Sequence, residues 1–361
     1  MNRPEPSLRS DADNADTLQR SLTGRWRIPV TIADNHFVYK SLSNWSCNIA
    51  VGCVHGCRFC YVPSSSTNKM RHPLADLGVS DPDAQWGDYA FVREWDEHAF
   101  LLSLQRAEHT PVENLRPLGG NRAVIFCSTT DPYQVTNDTA WNFHRKLIVR
   151  RALELIRDRS TLNVRILTRG PLARQDFELF GTFGHRLMFG MSLPTLSNRL
   201  AKIYEPGAPS PFKRFETLQL ARDCGLNIFV AMAPTYPECD MDDLRNTLQK
   251  IAELDPLTVF HEPINIRADN VERIRSHAAA LGEKVHTEVF RTHESWRGYA
   301  LGQMGMVQLL AAQCGLSARL HLWPDKSLER GATPAFRYWL NDCWSRVSEW
   351  PQECHKNATR M

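Results

Sequence analysis

No stretch of this chain approaches the roughly 20 consecutive apolar residues that a membrane-spanning helix needs, so no membrane span is expected. Residues 1–20 are polar, carry Asp11, Asp13 and Asp16, and hold no apolar segment, so a secretory signal is not expected either. Ten cysteines without such a signal read as reduced thiols or metal ligands and not as disulfides, which makes the cytoplasm the expected compartment. Net charge is scarce as well. The balance of 43 Lys and Arg against 40 Asp and Glu leaves +3, too little for charge alone to imply nucleic acid. Cys224, Cys239, Cys314, Cys343 and Cys354 are widely spaced and form no C-x2-C pair, so a second clustered-thiol site is not expected.

What is there is a globular composition. A hydrophobic content of 42% over 361 residues suffices for one large domain, or a domain with an appendage. Short apolar runs at 46–52, 123–127, 164–167, 187–192, 228–233 and 258–260 read as strands. Helical patterns at 141–157, 172–180, 212–224 and 241–254 fall between the later ones, and 94–107 gives a further amphipathic helix. Strands alternating with helices predict an α/β fold, a parallel sheet covered by helices. Residues 1 to about 22 are expected to be disordered, 28–40 to form a lead-in, and 70–87, rich in Pro, Gly and Asp, to form a loop.

From about Glu262 the pattern changes to helices at 270–281, 295–313 and 334–348. Trp296, Trp323, Trp339, Trp344 and Trp350 crowd this last quarter and read as packing residues, or as a surface on which bases stack. The expected division is a lead-in over 1–40, a core over 41–262 and a mostly helical extension over 263–361. Charge is distributed unevenly: 76–108 is acidic and 145–186 basic. The basic run is either the solvated face of an outer helix or a flank that meets phosphates.

One stretch carries the chemistry. Cys53-Val54-His55-Gly56-Cys57-Arg58-Phe59-Cys60 places three thiols in a C-x3-C-x2-C spacing, followed by Tyr61. Thiolates are soft ligands that select zinc, copper(I) or iron–sulfur clusters. A structural zinc site needs a fourth ligand, for which Cys47, His55 and His72 are available. A cubane held by only three cysteines leaves one iron open to an outside ligand.

These residues resemble the signature of the radical S-adenosylmethionine (SAM) superfamily, C-x3-C-x-Φ-C, with Phe59 as the aromatic. The lead-in Asn48 to Gly52 and the Cys60-Tyr61 pair resemble its spore photoproduct lyase-like subgroup, also called DNA repair photolyase-like. The resemblance extends over about residues 44–255 through Thr130-Asp131-Pro132-Tyr133-Gln134, Tyr204-Glu205-Pro206-Gly207 and Ala233-Pro234-Thr235-Tyr236-Pro237. It implies a partial (β/α)6 barrel closed by the C-terminal extension, with chemistry at the carboxyl ends of the strands. It also implies a 4Fe–4S cluster on Cys53, Cys57 and Cys60, with SAM chelating the fourth iron. An electron from a donor such as flavodoxin or ferredoxin would then cleave SAM to methionine and a 5′-deoxyadenosyl radical.

By the same resemblance, Phe59 lies beside the adenine and Ser128, Thr129 and Thr130 stand where the superfamily bonds the SAM amino group. The usual Gly-Gly-Glu is absent here, and the subgroup's Asn-Pro-Tyr lead-in is replaced by Asn48-Ile49-Ala50. Arg169 would pair with the SAM carboxylate through its forked guanidinium, and Ser192 would bond the ribose. Each could equally be a structural residue in the barrel mouth. Cys127 corresponds to a hydrogen-atom donor of the lyases, although Cys127 to Asp131 is one residue longer than that pattern; its bland alternative is a buried strand cysteine. Tyr61 and Tyr133 could relay or stack, and Cys47 reads as structural. The function implied is a radical SAM enzyme acting on a nucleic-acid lesion. Alternatives are a radical SAM enzyme on a small metabolite or peptide, and a non-enzymatic zinc-binding module.

Overall fold

A computed structural model describes residues 21–35, 42–115 and 121–358, with side chains as far as 346. The expected disorder before residue 21, part of the lead-in (36–40), Trp350 and Cys354 therefore lie outside the described side chains.

The described residues hold eleven strands, among them the six short runs expected from the sequence. They are β1 (Leu22–Trp26), β2 (Ile32–Asp34), β3 (Trp45–Cys47), β4 (Ala50–Gly52), β5 (Tyr89–Arg93), β6 (Ala123–Phe126), β7 (Asn163–Thr168), β8 (Leu187–Ser192), β9 (Ile228–Thr235), β10 (Thr258–Pro263) and β11 (Leu320–Leu322). The larger sheet has the order β11-β10-β9-β8-β7-β6-β3-β2. Its strands from β3 to β11 run parallel, and β2 joins β3 antiparallel at one edge. Helices connect the successive strands, as the alternation predicts, so the chain has the expected α/β class with a helical C-terminal region.

Three local expectations differ from the structure. The single strand expected at 46–52 is two: β3 enters the large sheet, while β4 leaves it to pair antiparallel with β5 in a small sheet of order β1-β5-β4. Gly52 ends β4 at a φ of +89°, with the site of a Cβ only 2.4 Å from the Tyr89 carbonyl, so no larger residue fits this turn into the cysteine loop. The loop expected at 70–87 begins with a short helix, Arg71–Ala75. The C-terminal segment also contributes a strand, because β11 pairs with β10.

Alternation along the strands sorts the two faces of the sheet. Val124, Phe126, Val164, Ile166, Phe189, Met191, Val230 and Val259 point to the main core beneath the helices. Ile125, Met188, Phe229 and Phe260 point the other way and cluster with Trp323. Each such fully buried side chain contributes about 1.5–3 kcal/mol. Asp96, Asp138 and Asp240 cap the helices Glu97–Glu108, Thr139–Arg159 and Met241–Glu253 by accepting from backbone N–H groups of their first turns. No helix among the described residues is long and apolar enough to cross a membrane.

The basic run is largely occupied internally. Arg145 is buried and donates to the Pro132 carbonyl at 2.9 Å, Arg150 meets Asp176 at 2.9 Å, and Arg151 forks onto Glu97 at 2.7 and 2.8 Å. Arg186 donates to the carbonyls of Arg157, Ser160 and Leu162. Of the tryptophans, Trp296 is buried with its Nε1 on the Ile264 carbonyl, and Trp323 stacks on Phe260 at 4.4 Å. Both pack.

Candidate active site

The cysteine loop follows β4 and is tied down from several directions. Gln134, fully buried, accepts from the Val54 N–H at 2.8 Å and donates to the Thr130 hydroxyl at 2.7 Å, which itself donates to the Gly52 carbonyl at 2.5 Å. The Arg58 N–H donates to the Tyr204 carbonyl at 2.8 Å, and the Gly207 N–H to the His55 carbonyl at 3.0 Å. A Cβ at Gly207 would stand 2.2 Å from the Val54 carbonyl oxygen, so only glycine allows this approach. Thus two of the sequence motifs, Thr130 to Gln134 and Tyr204 to Gly207, serve as braces for the loop.

Asp131 is the hub of that bracing. Its carboxylate accepts from the Thr168 hydroxyl at 2.6 Å and from the N–H groups of Tyr133 and Arg169 at 2.8 Å, and it faces His55 Nδ1 at 3.4 Å. Burial works to raise its pKa. The His55 ring, the Thr168 hydroxyl and the Arg169 amide outweigh that and hold it down at about 2. His55 thus packs against a buried carboxylate while bordering the same cavity as the three thiols.

Eleven of the residues singled out from the sequence line one cavity of about 560 Å³, whereas Tyr133 is buried away from it with its hydroxyl donating to Asp176 at 3.0 Å. Cys53, Cys57, Phe59, Cys60 and Tyr61 come from the loop. Cys127 and Ser128–Thr130 follow β6, Arg169 follows β7 and Ser192 ends β8. Asn35, just past β2, and Trp323, just past β11, line it too, so both edges of the sheet reach one space and the sheet curls round it as an incomplete barrel. The cavity lies at the carboxyl ends of the parallel strands.

The details refine several roles. Burial pushes up the thiols of Cys53, Cys57 and Cys60, Cys57 to about 12 even with the Arg169 guanidinium pulling down. Buried thiols of this kind give up their protons when a cation or cluster replaces them. Among the described residues no three His, Cys, Asp or Glu side chains converge closely enough to hold one metal ion. A cubane makes a different demand, since each cysteine binds a different iron and the thiols need only face a common space. Three thiols on the wall of one cavity fit that group.

Phe59 tilts against Tyr236 at 5.9 Å, with the Arg169 guanidinium 5.6 Å from its ring. Arg169 gives its Nε to Glu205, while its terminal nitrogens make no hydrogen bond among the described residues. The Ser128 side chain meets Asn48, whose Oδ1 also accepts from the Thr129 N–H at 3.1 Å, and the Tyr61 hydroxyl donates to the Ser128 carbonyl at 3.0 Å. The buried Ser192 accepts from Arg214 through its carbonyl at 3.1 Å. Cys127 is buried just beyond β6 at a φ of +63°, a conformation few non-glycine residues adopt. Ile125 and Cys127 both border the cavity.

Of the opposite wall, sequence reasoning singled out Trp323 alone, as a packing or base-stacking residue, and missed Glu262, Asn265, Arg267, Asp325 and Lys326. Asn265 donates to Glu262 at 2.6 Å, and Arg267 pairs with Asp325 across the mouth. Only their place at the end of β10 or just past β10 and β11 identifies them, and β11 itself has no clear sequence signal.

Comparison with known proteins agrees with this geometry. The family model described as the radical SAM superfamily matches residues 47–251, more than half of the chain. The uncharacterized protein ORF301 of Acidianus two-tailed virus is 31% identical over 263 residues, covering 71% of this chain and 78% of that protein. The uncharacterized protein MJ0683 of Methanocaldococcus jannaschii is 24% identical over 224 residues, covering 61% and 70%. Among solved structures, a cysteine-to-serine variant of spore photoproduct lyase is similar with a TM-score of 0.58 at 12% identity, over 84% of this chain and 81% of that one. Another variant of that lyase, with bound AdoMet and dinucleoside spore photoproduct, gives a TM-score of 0.57 at 12% identity over the same shares.

Proposed function

The chain belongs to the radical SAM superfamily and is an enzyme, and on that footing we propose that Cys53, Cys57 and Cys60 hold a 4Fe–4S cluster and that SAM occupies the adjoining cavity. The observation that carries this reading is the convergence of the three thiols and the candidate SAM-binding side chains on one cavity. When bound, the cluster would supply one electron, received from a small carrier such as flavodoxin or ferredoxin, for cleavage of a SAM C–S bond.

The chain's own residues would do the rest. The terminal nitrogens of Arg169, without a hydrogen bond among the described residues, suit the SAM carboxylate, with Glu205 fixing the guanidinium from behind. Phe59 offers an aromatic face to the adenine, Ser128–Thr130 a polar edge to the amino group, and Ser192 a hydroxyl to the ribose. Burial keeps the Cys127 thiol protonated at neutral pH, as a hydrogen-atom donor requires. Tyr61, whose hydroxyl donates to the neighbouring Ser128 carbonyl, would act as a relay. We assign 41–262 to the core and 263–361 to an extension that closes the barrel, with Ile264, Asn265, Arg267 and Trp323–Lys326 among its share of the wall. The cytoplasm is the proposed compartment.

For the substrate, the fold shared with spore photoproduct lyase supports a nucleic-acid lesion. The internal pairing of Arg145, Arg150, Arg151 and Arg186 favours a small metabolite or peptide instead. Salt-sensitive DNA binding would separate the two, because phosphate contacts release counterions. The activity itself is tested by incubating anaerobically reconstituted protein with SAM and a strong reductant. Formation of 5′-deoxyadenosine and methionine is expected. Full iron loading with no SAM cleavage would overturn the proposal.

A further inference from the structure

Three successive carbonyls of the cysteine loop are held by one turn of a helix more than two hundred residues away. The helix Asn270–Ala280 follows β10. Asn270, fully buried, donates from Nδ2 to the Phe59 carbonyl at 3.2 Å and to the Asn265 carbonyl at 2.8 Å. Arg273 donates from Nε to the Arg58 carbonyl at 3.2 Å and from Nη2 to the Cys60 carbonyl, while its Nη1 pairs with Asp83. Residues three apart on a helix share a face, so both side chains reach the loop together.

Asp83 is itself anchored, accepting from the Ser64 hydroxyl at 3.2 Å just after the loop. The guanidinium therefore lies between the end of the cysteine loop and the segment that follows it. The core braces described above hold Val54, His55 and Arg58; this contact holds the other end, at Arg58, Phe59 and Cys60. Ile264, Asn265 and Arg267, in the same connection, line the cavity, so one segment joins the cavity wall to the cysteine loop.

We propose that Asn270 and Arg273 are positioning residues for the cluster loop, and that the Arg273 guanidinium, placed directly behind Cys60, also supplies a fixed positive charge to the cluster. The charge part rests on the 4Fe–4S reading; the positioning part does not. A cubane with thiolate ligands is negatively charged in its reduced state, so a nearby cation favours reduction and raises the potential.

Two measurements on the full chain test this. The first is amide hydrogen exchange over residues 57–61 in metal-free protein, where the Cys60 N–H is bonded to the Cys57 carbonyl and the Arg58 N–H to the Tyr204 carbonyl. Arg273→Met should speed exchange there by roughly tenfold or more, the equivalent of one lost charge-assisted hydrogen bond. The second is the midpoint potential of the reconstituted cluster, which should fall in Arg273→Met. Arg273→Lys should restore most of the potential but little of the protection, because an ammonium keeps the charge and loses the fork. Asn270→Ser should speed exchange without moving the potential.

Wild-type exchange at 57–61 in both Arg273→Met and Asn270→Ser, with thermal melts like wild type, would overturn the positioning role. If Arg273→Met does not fold, Arg273→Lys and Asn270→Ser decide the matter by the same readout. An unchanged potential in Arg273→Met overturns the charge role alone. Failure of the wild-type chain to take up iron would instead sink the cluster reading and with it the charge role, while exchange in the metal-free chain still decides the positioning role.

Discussion

Arg169 gives its Nε to the Glu205 carboxylate at 2.5 Å, and Glu205 is fully buried with Arg214 on its other side at 2.6 Å. One carboxylate thus fixes the arginine that borders the Cys57 thiol, and leaves the end of its fork for a ligand. Arg169→Ala should weaken SAM binding by about 1.5–3 kcal/mol, the scale of a charged hydrogen bond. Arg169→Lys should recover only part, because an ammonium cannot be held by Glu205 and still fork onto a carboxylate. Equilibrium SAM binding decides this, and wild-type affinity in the Ala variant would make Arg169 purely structural.

Cys127 can be separated from its backbone strain. At a φ of +63° Cys127→Ala keeps the strained conformation, whereas Cys127→Gly relieves it. The Gly variant should be more stable than the Ala variant by about 1 kcal/mol. Both should still bind iron and cleave SAM, yet lose or misquench the product. Wild-type product from either variant would reduce Cys127 to a packing residue.

Gly207→Ala should disturb the site without touching a ligand. The added methyl would meet the Val54 carbonyl at 2.2 Å and the His55 carbonyl at 3.1 Å, so the Glu205–Gly207 turn must retreat from the cysteine loop. A loss of about 1–3 kcal/mol in stability is expected, with weaker iron retention under chelator. Urea unfolding and chelation kinetics indistinguishable from wild type would show that the contact is dispensable.

Stability should fall in mild acid. Burial holds His261 down to about 3, and burial with the Arg346 charge holds His321 down to about 4. Because an unfolded histidine titrates near 6.5, the unfolded chain binds more protons below that pH. Each ring then costs up to about 1.4 kcal/mol per pH unit as pH drops from about 6.5 toward its folded value. The Asp131 contribution, present above about pH 4, is lost later as pH falls toward 2. His261→Gln should flatten the decline between pH 6.5 and 5 by about 1–2 kcal/mol. Equal slopes in urea-unfolding series of the two proteins would contradict this.

The parallel strands and the cysteine loop were legible because their signals are local. Ile228 to Ala233 is a continuous apolar run beside a helical period, Val164 to Leu167 is broken only by Arg165, and three thiols within eight residues need a reason. The rest depends on partners remote in sequence. Ala50-Val51-Gly52 and Leu320-His321-Leu322 are too short to show a period, and become strands only by pairing with β5 and β10. Neither the Glu205 fixation of Arg169 nor the approach of Arg273 to Cys60 could be read from spacing, because each is a tertiary contact. The same applies to the basic run, whose charges look free in the sequence and are paired in the fold.

Iron and sulfide content after anaerobic reconstitution tests the cluster assignment most directly. About four irons and four sulfides per chain are expected in the wild type, as a single cubane requires. That content should be lost when Cys53, Cys57 or Cys60 is replaced by Ala, and retained when Cys47 is replaced. Stoichiometric zinc in protein purified without oxygen, with no uptake of iron, would contradict the assignment of these three cysteines.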